Sequence, residues 1–128
     1  MSLETMRPNP TWDATAHEDE LEPFRRHADE LTIRVWGGDW CGDCRAVLPD
    51  VGAALEASGI PDERIFEYPV EKREDGSKEG EKVEEYAIEL IPTVVIEREG
   101  EEVARFVENE PIPAVSYLAE QLRELEAS

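Results

Sequence analysis

Cysteine is scarce in this chain of 128 residues, with only two present, Cys41 and Cys44. A secreted domain held together by disulfides would carry more cysteines at longer spacings, so that class is disfavoured. No stretch approaches the ~20 apolar residues of a transmembrane helix, so we predict that this is not an integral membrane protein. The first ten residues also lack the apolar region of a secretory signal, and we expect a cytoplasmic protein.

Basic residues are also few. The chain has 13 of them, only three of which are lysines, against 32 acidic residues, and its formal net charge is −19. Such a surface repels phosphate backbones and anionic headgroups, which argues against nucleic acids and membrane surfaces as partners. The composition resembles that of proteins from salt-accumulating halophiles. An ordinary acidic cytosolic protein is the alternative.

The order of apolar patterns predicts one domain with an α/β fold. An apolar content of 40% is enough to build its core. We predict an irregular segment over residues 1–14 and a single domain over residues 15–128. Within the domain, strands and helices alternate before a hairpin and a last helix, which predicts a mixed sheet with helices on both faces. The predicted strands are 31–36, 64–70, 93–97 and 103–107, a charged loop covers 71–81, and helices begin near Thr15, Cys41, Val83 and Pro113.

The two cysteines lie three residues apart, where a predicted strand turns into a predicted helix. At the helix start, unpaired backbone amides and the helix dipole stabilise a thiolate at Cys41. Cys44 lies one turn further in, close enough to close a disulfide with Cys41. An exposed sulfur that attacks and a shielded sulfur that resolves are what thiol–disulfide exchange requires.

Two other roles remain open for the cysteine pair. The thiols could be buried and inert, or they could form half of a shared zinc or iron–sulfur site. A zinc site needs four ligands. The candidate partners, His17 and His27, lie on a distant predicted helix and are interpreted as surface residues, so we predict no metal site.

Three separated motifs occur in an order that resembles the thioredoxin family. Residues 40–44 (WCGDC) stand at a strand–helix junction, and Pro49 follows five residues after the second cysteine. Residues 91–93 (IPT) precede a strand, which leads into a hairpin around Gly100 and a closing helix. The resemblance covers about residues 31–125. It implies a thioredoxin fold with a central mixed four-stranded sheet, flanked by helices on both faces, and a cis peptide bond before the proline of the second motif.

The resemblance also implies an enzyme, a thiol–disulfide oxidoreductase whose redox pair is Cys41 and Cys44. No metal or organic cofactor is needed, because the electrons reside in the two sulfurs. The expected partners are protein disulfides and an unidentified reductase, and we expect a monomer. Substrate would contact Trp40 and pair with the backbone of Ile91. Pro92 and Thr93 complete the predicted substrate-binding residues.

Alternatives exist for the function and for two of these residues. The chain could be a redox-sensing or partner-binding module with little turnover. Glutaredoxin-type activity is disfavoured, because a chain of this charge offers few basic groups for the carboxylates of glutathione. Trp40 could merely pack against its neighbours, and Pro92 could be an ordinary turn proline.

The chain departs from the family pattern at three positions near the motifs. Asp43 replaces a proline between the cysteines, Val35 stands where the family has a buried acid, and Glu108 stands where the family has a glycine after the last strand. Asp39 and Asp43 are either part of the acidic surface or the groups that transfer protons at the sulfurs.

The charge imbalance predicts a strong dependence of stability on salt. Repulsion between like charges acts over a Debye length of ~30 Å at 0.01 M salt but only ~3 Å at 1 M, so it opposes folding in dilute buffer. We expect the melting temperature, followed by circular dichroism, to climb steeply between low and molar KCl. A flat melting temperature across that range would contradict both this expectation and the halophile interpretation.

Overall fold

The computed structural model describes residues 3–75, 78–108 and 112–127. Outside residues 71–92, its helices and strands follow one another in the order of the predicted α/β pattern, with short 3₁₀ turns between them. In chain order the elements are a 3₁₀ turn Glu4–Met6, a 3₁₀ turn Ala14–His17, α1 Glu18–Arg26, β1 Leu31–Gly37, α2 Gly42–Ala57, a 3₁₀ turn Asp62–Arg64, β2 Ile65–Pro69, β3 Glu71–Lys72, β4 Lys78–Glu79, β5 Thr93–Arg98, β6 Glu101–Val107 and α3 Ala114–Ala127.

The main sheet has four strands in the order β2-β1-β5-β6. β1 runs parallel to β2 and antiparallel to β5, and β6 is antiparallel to β5, so the predicted mixed four-stranded sheet is confirmed. In this register Thr93 lies beside Trp36 on one side and Val107 on the other. The end of β1, the start of β5 and the end of β6 therefore meet at one edge of the sheet.

The helices lie on one face of this sheet. Side chains alternate across a strand, so Val35 and Gly37 face one side while Trp36 faces the other. The Gly37 side packs on α2, where a Cβ at Gly37 would lie 2.8 Å from Leu48. α3 packs along β6, and α1 packs against α2 and α3. Among the described residues no α-helix covers the Trp36 side, so the layering differs from the prediction of helices on both faces.

Residues 71–92 account for this difference. Part of the predicted charged loop forms a second, two-stranded sheet, in which Glu71 pairs with Glu79 and Lys72 with Lys78. The helix predicted from Val83 is wrong, because residues 81–87 form successive turns. Lys82 and Ala87 have φ angles of 62° and 55°, and a backbone in this left-handed region does not continue a right-handed helix.

The first α-helix starts later than the sequence predicts and has a proline inside it. The carboxylate of Asp13 accepts a hydrogen bond from the Thr15 amide and caps a 3₁₀ turn, and α1 then begins at Glu18 with Pro23 inside it. A proline has no N–H, so Pro23 cannot donate to the carbonyl of Asp19. The Arg123 guanidinium of α3 donates to that carbonyl instead. A tertiary contact thus replaces the hydrogen bond that the proline removes.

The segment before residue 15 packs on the domain. Leu3 and Met6 are buried in the main core, and the 3₁₀ turn between them lies against α2. The Met6 carbonyl comes so close to α2 that a Cβ built on Gly52 would lie 2.1 Å from its oxygen. Only a glycine at position 52 permits this approach.

The Gly52→Ala substitution tests this contact. The added methyl group must displace the backbone of Met6, and we expect a loss of about 1–3 kcal/mol in the free energy of unfolding. Denaturant unfolding measures that loss, and faster hydrogen exchange at the amides of Met6 and Arg7 would report release of the segment. Gly42→Ala makes the same change in the same helix but meets no atom within 4 Å, so it should cost no stability. Equal stability of both variants would contradict the proposed contact.

Candidate functional site

The start of α2 holds the two cysteines as free thiols, and both are buried. The expectation that the attacking cysteine is exposed is therefore wrong, since Cys41 is only 9% exposed. Cys41 is the N-cap residue, with an extended backbone, and its sulfur accepts a hydrogen bond from the Cys44 amide at 3.3 Å. The first amides of a helix have no carbonyl partner within the helix, and here one of them is directed at a sulfur. A negative charge on the Cys41 sulfur is therefore stabilised by a fixed backbone donor and by the helix dipole.

Cys44 lies below Cys41 and is fully buried against the end of β1. Its sulfur accepts a hydrogen bond from the Gly38 amide at 3.4 Å. Burial, which disfavours the charged form, raises the pKa of the Cys44 thiol to about 12. A hydrogen bond that this thiol donates to Cys41 acts in the same direction, as does the negative charge of Asp43. The two sulfurs are therefore chemically unequal.

The indole ring of Trp40 is exposed to solvent next to Cys41. Its side chain is 46% exposed, yet its indole Nε1 donates to the Val70 carbonyl at 2.9 Å, which fixes the ring in one place. A Cβ at Gly38 would lie 2.5 Å from this indole, so the glycine makes room for the ring. An apolar ring that is both anchored and open to solvent can contact a bound chain.

The second predicted motif begins at the same edge of the sheet as the cysteine loop. The Ile91–Pro92 peptide bond is cis, as the resemblance implied. Both residues are buried, and the hydroxyl of Thr93 donates to the Leu90 carbonyl at 2.6 Å. Thr93 pairs with Trp36 at the end of β1, which places the turn before it beside the loop that carries Cys41. The Leu90 side chain is 41% exposed on this rim.

Asp39 and Asp43, the two candidates for proton transfer, have different surroundings. The carboxylate of Asp39 accepts hydrogen bonds from the amides of Glu4 and Thr5, at 3.3 and 3.1 Å, and so binds the N-terminal segment. Asp43 is exposed, and its negative charge contributes to a raised pKa of Glu108. The contacts of Asp39 favour a structural role, whereas Asp43 lies next to the thiols.

Glu108 is a member of the site that the sequence placed only through the family pattern. It follows Val107, the partner of Thr93, so its backbone lies beside the cis proline. Burial, followed by the charge of Asp43 and the hydrogen bond to it, raises the pKa of Glu108. This contact joins the end of β6 to the first turn of α2.

Sequence reasoning missed a carboxylate that lies beside Val35 in the sheet. Glu67 of β2 pairs with Val35 and faces the same side of the sheet, and its Oε1 accepts a hydrogen bond from the Leu3 amide at 2.6 Å. The alternation of β2 carries a signal for it, because Phe66 and Tyr68 face one side and Glu67 the other. Only the register with β1 shows that this side is the one facing α2.

The two histidines lie apart from the cysteines. His17 stacks on Trp12 and is hydrogen-bonded to Glu20, and His27 is hydrogen-bonded to Glu30. In the part of the chain that the structure describes, no group of three or more His, Cys, Asp or Glu side chains is arranged to hold a metal ion. Within those same residues, no helix has the length and apolar character needed to cross a bilayer.

Known proteins resemble the chain in sequence and in structure. It is 33% identical over 88 residues to an H-type thioredoxin from Fagopyrum esculentum, covering 67% of this chain and 69% of that one. No protein-family model matches the chain.

Among solved structures, the oxidised form of mitochondrial thioredoxin 3 from Saccharomyces cerevisiae superposes with a TM-score of 0.52 at 18% identity, covering 81% of this chain and 89% of that one. A mutant thioredoxin from Halobacterium salinarum NRC-1 superposes with a TM-score of 0.50 at 18% identity, covering 97% and 95%. At this identity the superpositions establish the fold, and the sequence match establishes the family. The chain belongs to the thioredoxin family and is a thiol–disulfide oxidoreductase.

Proposed function

We propose that the protein exchanges electrons with protein disulfides, with Cys41 as the nucleophile and Cys44 as the resolving thiol. The observation that carries this proposal is the inequality of the two sulfurs. Cys41 caps the helix and accepts a backbone amide, whereas Cys44 is fully buried and its pKa is raised to about 12. Only a thiolate attacks a disulfide, so the sulfur at the helix start is favoured for the first step.

The exchange then takes two steps. The Cys41 thiolate attacks one sulfur of the substrate disulfide, and the other substrate sulfur leaves as a thiolate. The Cys44 thiol loses its proton and attacks the Cys41 sulfur, which closes the Cys41–Cys44 disulfide and releases the second substrate thiol. The substrate gains two electrons and the protein loses two. A dithiol reductase must return those electrons before the next turnover.

Four residues on the rim are proposed to hold the substrate chain. The anchored indole of Trp40 supports this role on one side of Cys41, and the turn of Ile91, Pro92 and Thr93 supports it on the other. Asp43 is proposed to assist proton transfer, because its carboxylate is exposed beside the thiols. Asp39 is the weaker candidate, since backbone amides already hold its carboxylate.

The charge and the chemistry support a set of partners made of proteins. A net charge of −19 disfavours nucleic acids and anionic membranes. We place the protein in the cytoplasm, where reductases keep dithiols reduced. A redox-sensing or partner-binding module would use the same rim without turnover, and kinetics distinguish the two functions.

Single-cysteine variants test the assignment of roles. Cys44→Ser removes the resolving thiol, so it should accumulate a stable mixed disulfide through Cys41 when mixed with a disulfide-bonded protein. Cys41→Ser is the matched control and should accumulate almost none. Non-reducing gel electrophoresis measures the amount of mixed disulfide that each variant forms. Equal trapping by both variants would overturn the assignment and favour a binding module.

The pH dependence of the second step tests the burial of Cys44. Because burial keeps its thiol protonated, the fraction of attacking thiolate should rise about tenfold per pH unit below the raised pKa. In single-turnover reduction of an aromatic disulfide, stopped-flow absorbance resolves the release of the first and second thiolates. We expect the rate of the second release to rise without a plateau between about pH 6 and about pH 9. A plateau near neutral pH would contradict a strongly raised pKa.

A further inference from the structure

The segment that ends in the Ile91–Pro92 turn is attached to the sheet by a group of polar and aromatic side chains. Residues 80–92 have no regular secondary structure of their own beyond turns. On its C-terminal side the turn continues directly into β5, which the sheet holds in register. On its N-terminal side the position of the turn depends on what fixes the preceding residues.

Tyr86 attaches the segment to the sheet before the turn, in addition to the Glu81 carbonyl, which accepts from Trp36 Nε1, and the buried side chains of Val83 and Ile88. Its hydroxyl donates to Glu97 Oε2 at 2.8 Å, and its carbonyl accepts from Arg105 Nη1 of β6 at 3.0 Å. Its ring meets the buried ring of Trp36 edge-on, with centroids 5.0 Å apart. Both ends of this residue are therefore bonded to strands of the main sheet.

Glu97 lies on β5, five residues after Pro92, so its bond with Tyr86 closes a loop of chain that contains the turn. The Glu97 side chain is nearly buried, and its other oxygen accepts from Arg34 Nε at 2.7 Å. Arg34 in turn donates to the Tyr68 hydroxyl at 2.5 Å. A hydrogen bond between a hydroxyl and a paired, buried carboxylate is among the stronger kinds in proteins.

The hydroxyl of Tyr86 is suited to this bond at all physiological pH values. Burial of the group, followed by its hydrogen bond to Glu97, raises the pKa of Tyr86 to about 12. The phenol therefore remains protonated and continues to donate. The contacts fix the position of the hydroxyl, and the raised pKa ensures that it carries the proton for this bond.

We propose that the Tyr86–Glu97 bond is a positioning device for the redox site: it holds the Ile91–Pro92 turn in place for the substrate chain. Neither side chain touches the sulfurs, so both act through the turn. The proposal rests on the proposed function, in which the turn contacts substrate. It assigns specificity for protein disulfides to a group on the sheet face opposite the helices.

The Tyr86→Phe variant removes the hydroxyl and keeps the ring. With dithiothreitol regenerating the dithiol, we expect the KM for a disulfide-linked peptide to rise about three- to tenfold, the usual effect of one lost hydrogen bond, and kcat to stay within about twofold. The rate with bis(2-hydroxyethyl) disulfide, which is too small to span the turn, should not change. The rate of Cys41 alkylation and the reduction potential should also match the wild type.

Three further variants separate positioning from general stability. Tyr68→Phe is the matched control, because it removes a hydroxyl from the same group of side chains but leaves the bond between Tyr86 and Glu97 intact. Its KM should equal that of the wild type. Glu97→Gln keeps a hydrogen-bonding group for Tyr86, so its KM should stay close to that of the wild type. Glu97→Leu removes that group, so its KM should rise as it does in Tyr86→Phe.

Hydrogen exchange followed by mass spectrometry adds a readout independent of turnover. In Tyr86→Phe, the peptide covering residues 84–92 should exchange faster while α2 keeps its protection. An unchanged KM in an active protein would overturn the positioning role. A rise in KM accompanied by falls in kcat and in the rate of Cys41 alkylation would also overturn it. If the wild type fails to reduce the peptide disulfide at all, the proposed function itself fails, and the exchange measurement still tests the contact.

Discussion

The hydrogen bond from the Cys44 amide to the Cys41 sulfur sets the arrangement of the redox site. It makes Cys41 the first residue outside α2 and Cys44 a residue inside it, so one sulfur faces backbone donors and the other lies against the buried end of β1. Helix geometry alone thus creates the difference between the two thiols. The remainder of the fold brings Trp40 and the Ile91–Pro92 turn beside the Cys41 sulfur and keeps the Cys44 sulfur fully buried.

Sheet topology brings that rim together from distant parts of the chain. Because β5 runs antiparallel to both β1 and β6, the residues after β1, before β5 and after β6 share one edge. Cys41, Pro92 and Glu108 come from these three places. Their meeting needs no direct bond between them, since the register of three strands already fixes it.

The motifs that follow local rules could be read from the sequence. The helix start after Cys41 and the strand pattern depend on neighbouring residues, so spacing and residue type were sufficient. The cis turn at Ile91–Pro92 was expected only from the resemblance to the thioredoxin family. The structure of residues 71–92 could not be read in this way. Lys82 adopts a left-handed conformation that its residue type does not favour, and the contact of Tyr86 with Trp36 and Glu97 joins residues far apart in the chain.

Carboxylates were the least predictable groups, because their roles depend on partners across the fold. Asp39 precedes the cysteines in sequence, yet it binds amides near the N-terminus. Glu67 came close to Val35 only through the pairing of two strands. In a chain with 32 acidic residues, composition could not single out the few that have specific partners.

The contact between Arg123 and the Asp19 carbonyl has a consequence for the order of folding. It joins the first and last α-helices across 104 positions of the chain, and the buried residues of α1 pack beside α3. Contacts between such distant residues form late, after the intervening chain has been ordered. During synthesis on a ribosome, the core on the helical face therefore stays incomplete until α3 has emerged.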